Sequence, residues 1–535
     1  MSSFLIYFNT IIFLNPIQIL FRVLFYIKPN LNYNLHYKIN KSHKEIITIP
    51  EKVSFIHPNK IRILDKVHII DCKFQWNQFS DNKLEIYTCN YLNFINDPDL
   101  DKKNIKKIII NWINQNSDKN LISWDSYPTS LRIINLTKWC INNKDYDPII
   151  LDSIFLQLRW LNKRIEYHLS GNHLLTNLKA LIYASTLFNS YESNKNFLKA
   201  SRLFRRYLDK QTFKDGGNYE RSIMYHSIIT KDLIELVDII KSYKPGLYND
   251  FLTYLEKKLE QYLYFYLHLC HPDNLPSFFG DTNLDNSYSY DYLSSYLKDV
   301  LKKSNNFKRK RLEIFNQTGF FSYNNNNFYC AGDIGDFYKT DQPGHSHAAS
   351  LSFEISVFGE RCFVNSGIST YQEGNQRHLE RSTKSHNTVE VNDENSSQVW
   401  KSFRLGNRAK IISSNYTISD ELCKISAEHN GYSNRDNKLH HKREWLLYEN
   451  KIEINDFLNG KFKTAVARFF LHPDVKLIDQ NTIALKSGRK IKLHFENVQF
   501  EIKETEWYPF FNVRKSNKCI ELEFNDSTSK FKISI

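Results

Sequence analysis

No two of the eight cysteines in this sequence stand at C-x-x-C spacing; they fall singly at positions 72, 89, 140, 270, 330, 362, 423 and 519. That scatter excludes a disulfide framework and a cysteine zinc site, and it leaves buried reduced thiols. Long apolar runs are missing as well. Residues 4–27 are rich in Phe, Leu and Ile, yet Asn9, Asn15, Pro16, Gln18 and Arg22 interrupt them. No cation precedes this apolar stretch and no small-residue cleavage pattern follows it, so neither a secretory signal nor a spanning helix is expected. An amphipathic helix resting on the protein or on a membrane surface is expected instead. A cytoplasmic protein follows from this, with peripheral contact to the inner membrane surface as one possibility and a periplasmic location as the alternative. Zinc-finger spacing, a ribonucleoprotein aromatic motif and a long basic arm are all absent, which argues against a nucleic-acid partner. Glycine and alanine are scarce. The excess of Lys, Asn and Ile reads as background composition and warns against taking every lysine cluster for a site.

What is present is globular in composition, with 41% hydrophobic and 24% charged residues. At 535 residues the chain exceeds one ordinary core. A formal charge of +14 suits an acidic polymer such as a uronic-acid polysaccharide, or an anionic membrane surface. Residues 1–100 read as a lead-in with an amphipathic helix and short strands. Residues 101–312 carry helical stripes: Ile154, Leu158, Leu161 and Ile165; Leu174, Leu178, Leu181 and Ser185; Leu233, Leu236, Val237 and Ile240; Leu252, Leu255, Leu259 and Leu263. Stripes in succession predict stacked helical hairpins, as a solenoid or a closed α/α toroid. After a basic crossing at 302–310 the period becomes two, as in Val389/Val391 and Ile452/Ile454, and Asn459-Gly460 marks a turn. Residues 313–535 are therefore expected to form an antiparallel β-sandwich, giving a multidomain α+β protein.

Chemistry-bearing residues gather in three clusters. Gly344-His345-Ser346-His347 precedes an alternating run, Leu351, Phe353, Ile355 and Val357, which predicts a half-buried strand. Two histidines two apart share a face of an extended backbone and suit acid/base work, metal binding, or one of each. Ser170-Gly171-Asn172-His173 opens a helical stripe, and Asp215 to His226 forms a glycine-containing loop entering another. Each has a plain structural reading, as a helix cap or a packed loop.

These clusters, together with Trp124-Asp125-Ser126-Tyr127-Pro128, Glu220-Arg221-Ser222, Asn365-Ser366-Gly367, Ser385-His386-Asn387-Thr388 and Phe403-Arg404, resemble the heparinase II/III-like polysaccharide lyases and their relatives in surface-polysaccharide gene clusters. The resemblance implies an α/α toroid followed by a β-sandwich, with a cleft between them. It implies cleavage of an acidic, uronic-acid-containing glycan by β-elimination or, alternatively, a non-lyase role in modifying or binding glycan during capsule or O-antigen synthesis. Asn172 is then the donor facing the sugar carboxylate, His173 a second donor or base, and Tyr225 and His345 the proton-transfer groups. His226 either orients Tyr225 or packs. Tyr127, Arg132, Glu220, Arg377, Arg381 and Arg404 are candidate substrate contacts. In the family a zinc ion sits in the sandwich, and the matching residues here are His347, Asn365 and His386. An asparagine stands where an aspartate is usual, and Ala349 stands at another aspartate position. Both a bound zinc and no metal remain open for that set, because an amide is an uncharged and poorer ligand. The oligomeric state is not legible.

Overall fold

The computed structural model describes residues 3–27, 31–40, 46–47, 55–57, 60–71, 73–97, 99–243, 248–304, 307–337, 340–433 and 438–535. Cys72 and residues 305–306 of the basic crossing lie outside them. The apolar N-terminal stretch forms two helices, α1 (Ser3–Ile11) and α2 (Pro16–Leu24). The break follows from Asn15, whose side chain accepts from the Ile17 N–H at 3.0 Å, and from Pro16 in the first helical position. A small sheet of Phe55–His57, Lys60–Ile63 and Lys66–Ile69 comes next.

Helices then begin earlier than the periodicity predicts, at α3 (Lys83–Asn90). Asn82 caps it, accepting from the Leu84 N–H at 2.9 Å. Its buried face is Glu85, Ile86, Cys89 and Asn90, half polar, so no apolar stripe announces it. The series continues with α4 (Lys102–Gln115), α5 (Ser126–Asn143), α6 (Pro148–Lys163), α7 (Gly171–Leu187), α8 (Tyr191–Gln211), α9 (Ile223–Tyr243), α10 (Asn249–His268) and α11 (Tyr290–Leu301). α5 packs on α6 and α7, α7 on α8 and α9, and α9 on α10 and α11, the stacked-hairpin arrangement of an α/α toroid. The four expected stripes are buried in one continuous core. Each fully buried Leu or Ile contributes about 1.5–3 kcal/mol of transfer free energy.

From Leu312 onward the chain is antiparallel β-sheet, interrupted by a short helix, Asn375–Arg381, that carries Arg377 and Arg381. One sheet has five strands, Glu360–Phe363, Phe353–Val357, Phe328–Asp333, Phe320–Asn324 and Leu312–Phe315 in spatial order. An eight-stranded sheet carries Cys423–His429, His440–Leu447 and Lys451–Asn459 as successive neighbours, with Lys451–Asn459 and Thr528–Ser534 at its centre, and a four-stranded sheet carries Ala465–Phe470 and Val513–Phe524. They enclose a second core that includes Phe353, Trp445, Phe469 and Phe531.

The strand after His347 departs from expectation. It begins only at Phe353, and its polar positions are buried as deeply as its apolar ones. The cause is His271 from the helical half, which lies 2.7 Å from Glu354 Oε2 through Nε2 and 2.6 Å from Ser356 Oγ through Nδ1. Polar pairing across the junction replaces solvent. Asp215 ties the same seam, accepting from the Gln317 and Thr318 N–H groups at 2.8 Å each. The two halves are thereby fixed against each other, and the loop holding His345 and His347 is pressed onto the helix entrances.

Candidate active site

A cleft of about 770 Å³ opens at this junction, lined from the helical half by Tyr127, Asn172, His173, Glu220 and Tyr225 and from the sheet half by His345, Tyr371 and Arg404. Entry to α7 is sharp. Ser170 and Gly171 both have positive φ, 53° and +56°, and a side chain on Gly171 would collide with the Glu220 carboxylate. Glycine thus lets Glu220 reach under the helix start, where its Oε1 accepts from Asn172 Nδ2 at 3.3 Å. One amide hydrogen of Asn172 remains for the cleft. Glu220 Oε2 is buried with no protein partner.

His173 stacks on Tyr127, with 4.3 Å between centroids, and its Nδ1 is 3.2 Å from Glu166 Oε2. Burial lowers its pKa, but the Glu166 charge and hydrogen bond outweigh that and hold it above its ordinary value. Tyr225, in the first turn of α9, lies on the His345 ring with centroids 3.9 Å apart. Its hydroxyl is 3.0 Å from the Tyr371 hydroxyl. Burial, and then the neighbouring Tyr371, hold the Tyr225 phenol protonated well above its ordinary range.

Asp281, which no motif had singled out, organises the centre. It is completely buried and takes a two-pronged ion pair from Arg377, at 2.6 and 2.7 Å. Its Oδ2 is 2.8 Å from His345 Nδ1, and its Oδ1 is 2.8 Å from His347 Nε2. Burial pushes its pKa up, yet Arg377 and the two histidines hold it far below the usual carboxylate range. An ionised carboxylate only accepts, so His345 donates to Asp281 through its Nδ1–H, and its Nε2 lies 4.0 Å from Glu220 Oε1. The two histidines do reach one group together, but through a turn rather than a strand, with the Ser346 N–H donating to the Pro343 carbonyl at 3.0 Å.

Three of the arginines expected to meet substrate do not reach the cleft. Arg132 is fully buried, donating to Gln157 at 2.8 Å and to the Asn90 and Ser123 carbonyls, with its guanidinium over Trp112. Arg377 is committed to Asp281. Arg381 donates to the Ser346 and Lys401 carbonyls, and burial pulls its pKa down to about 9. Arg404, Tyr127 and Glu220 do line the cleft. His226 faces away from Tyr225, stacked on Tyr262 at 4.5 Å and bonded to the Tyr262 carbonyl.

The residues expected to hold zinc meet only in part. His347 Nδ1 lies 3.0 Å from His386 Nε2. The Asn365 amide is taken up elsewhere, its Oδ1 accepting from the Asn387 N–H at 3.0 Å and its Nδ2 donating to the Phe278 carbonyl at 3.2 Å. Among the described residues no group of three or more His, Cys, Asp or Glu side chains is arranged for a metal. This donor set does not fit the zinc that the resemblance implies.

Beyond the expected residues, the cleft wall holds Lys138, Lys179 and Lys231 around Glu235 and Asp232, with Lys138 Nζ 2.6 Å from Glu235 and Lys179 Nζ 2.5 Å from Asp232. Arg22, Lys83, Lys401 and Arg404 line it too, so cations outnumber carboxylates. Neither Asp281 nor Tyr371 carries a local signal, since Asp281 lies 13 residues beyond the end of α10 at His268.

Comparison with known proteins adds the lineage. A heparinase II/III N-terminus model matches residues 82–308, and a heparinase II/III-like C-terminal model matches residues 308–535. Heparin-sulfate lyase of Bacteroides stercoris is 26% identical over 262 residues, which are 43% of this chain and 37% of that protein. The match thus spans little more than a third of that relative's length. A crystal structure of heparinase III superposes with a TM-score of 0.68 at 17% identity, covering 86% of this chain and 78% of that one. Chondroitin AC lyase of Streptomyces coelicolor A3, in complex with chondroitin sulphate, gives 0.52 at 7% identity, covering 84% and 74%. At these identities the likeness to the solved structures is one of fold.

Proposed function

The chain belongs to the heparinase II/III-like family, and from that premise we propose that it cleaves an acidic, uronic-acid-containing glycan by β-elimination. The observation that carries the reading is the Tyr225–His345 stack beside Asn172, in a cleft where cations predominate. A uronate C5 proton leaves only if the adjacent carboxylate is stabilised as charge develops. The free amide hydrogen of Asn172 and His173, whose protonated form Glu166 favours, are the donors for that task. His345 Nε2, held as an acceptor by Asp281, takes the C5 proton. The C4–O4 bond breaks as the C4–C5 double bond forms, and the Tyr225 hydroxyl, kept protonated, delivers a proton to the departing O4. Tyr371 is placed to pass a proton on to Tyr225 afterwards. Arg404 suits the flanking carboxylates or sulfates.

The test is to incubate the purified chain with a panel of uronic-acid glycans and follow ultraviolet absorbance of the unsaturated product. Product from at least one glycan, lost in Tyr225→Phe and His345→Ala, is expected. Tight binding of a glycan with no unsaturated product from any would sink the lyase reading in favour of a glycan-binding role.

A further inference from the structure

The helices α1 and α2 present their apolar side chains outward. α2 turns Gln18, Phe21 and Phe25 toward the protein: Gln18 is buried, Phe21 packs on Tyr167 at 4.6 Å and Phe25 on His168 at 4.5 Å. The remaining faces carry Ile19, Leu20 and Val23, exposed by 48%, 56% and 64%. α1 is inward at Thr10, whose hydroxyl meets Trp400 Nε1 at 3.1 Å, while Phe8 and Ile12 are more than half exposed. Across residues 3–27 only Arg22 is charged. A helix serving the core would bury such residues; here each helix is fastened by its minor face and offers the larger apolar one.

Two facts select the occupant. Each helix has nine residues, about 14 Å at the usual rise and far short of a hydrocarbon core of about 30 Å. Among the described residues no helix is long and apolar enough to cross a membrane. α2 also borders a cationic stretch of the cleft: Arg22 on α2, Lys401 and Arg404 all line it. A second copy would bring a like-charged stretch against this one, in a chain of net charge +14. An anionic bilayer meets both the apolar face and the charge. We propose that α1 and α2 are an interfacial membrane anchor that seats the cleft mouth against an anionic lipid surface. Arg22 belongs to both α2 and the cleft, so docking would present the cleft to glycan held at that surface.

The experiment is flotation of the full chain with phosphatidylcholine vesicles containing about 30% phosphatidylglycerol, and with phosphatidylcholine alone. Wild type should float with the anionic vesicles, and added salt should reduce the bound fraction. The double variant Leu20→Asp, Val23→Asp should lose at least about tenfold of the bound fraction with an unchanged thermal midpoint, since neither side chain is buried. Failure of wild type to float, or equal flotation of the double variant, overturns the proposal. So does a wild-type dimer in sedimentation that the double variant converts to monomer without any lipid binding.

Discussion

The Tyr225 ring rests on the His345 imidazole, 3.9 Å between centroids and 28° between planes, although 120 residues of chain separate them. The stack holds the phenol and the imidazole against each other in one cleft, as an acid and a base acting on one sugar require. Tyr225→Phe keeps the ring contact and removes only the hydroxyl. Product formation on a glycan that is cleaved should fall by about 10²–10⁴-fold, with the melting temperature unchanged.

Asp281 acts on His345 without touching the sugar, so its replacement should show a different signature. In Asp281→Asn the amide no longer fixes the Nδ1–H tautomer, and Arg377 loses its buried counter-charge. Turnover per folded molecule should drop about 10²-fold or more, with a displaced pH–rate profile. Stability should fall by about 3–5 kcal/mol, as when one partner of a buried ion pair is removed. A purely structural role would lower the melting temperature and leave the pH profile of the surviving molecules where it was.

How far the sequence could be read depended on what each signal reports. Helical stripes such as Leu233, Leu236, Val237 and Ile240 report burial of one face, and those helices formed as expected. α3 escaped because Glu85 and Asn90 occupy its buried face, Glu85 accepting from the Ser80 hydroxyl and Asn90 donating to the Trp76 carbonyl. His345 and His347 were legible as a pair, and both meet Asp281. Asp281 was not, because its importance lies in three partners that come from residues 64 to 96 positions away. The arginines mislead for a related reason: a sequence shows the charge but not whether carbonyls, as for Arg132, or a carboxylate, as for Arg377, already surround it.

That distinction makes a paired prediction. Arg404 lines the cleft, so Arg404→Ala should raise KM several-fold, increasingly at low ionic strength where screening is weak, and leave the melting temperature unaltered. Arg132→Ala removes a buried guanidinium and strands its carbonyl partners. It should cost at least about 3 kcal/mol of stability, with little change in KM for the molecules that remain folded.

Acid sensitivity follows from the buried imidazoles. Burial lowers His226 and His347 to about 4 and His386 to about 3, from an ordinary 6.5. Their folded values lie below the unfolded one, so between these limits the unfolded chain binds more protons. Their contribution is complete above about pH 6.5 and is lost as the pH falls toward 4. Each could account for as much as about 3 kcal/mol. Thermal midpoints measured from pH 8 to 4 should decline below 6.5. His226→Phe, which keeps the stack on Tyr262 and removes one titrating group, should flatten that decline; an unchanged slope would assign the acid loss to other groups.

Asn365 offers a sharper test, because an aspartate at this position would supply the carboxylate a zinc site needs. In this chain the Asn365 Nδ2 donates to the Phe278 carbonyl at 3.2 Å. A carboxylate cannot donate, so Asn365→Asp sets two acceptors face to face in a fully buried place. Stability should drop by about 1–3 kcal/mol, the cost of a buried group left unpaired. Zinc should leave the melting temperature of wild type unmoved, because the amide is held by the Asn387 and Phe278 backbones and not turned toward His347 and His386. A zinc-induced rise in wild type would show that Asn365 can leave those partners, and the assignment of its side chain as a backbone brace would fall.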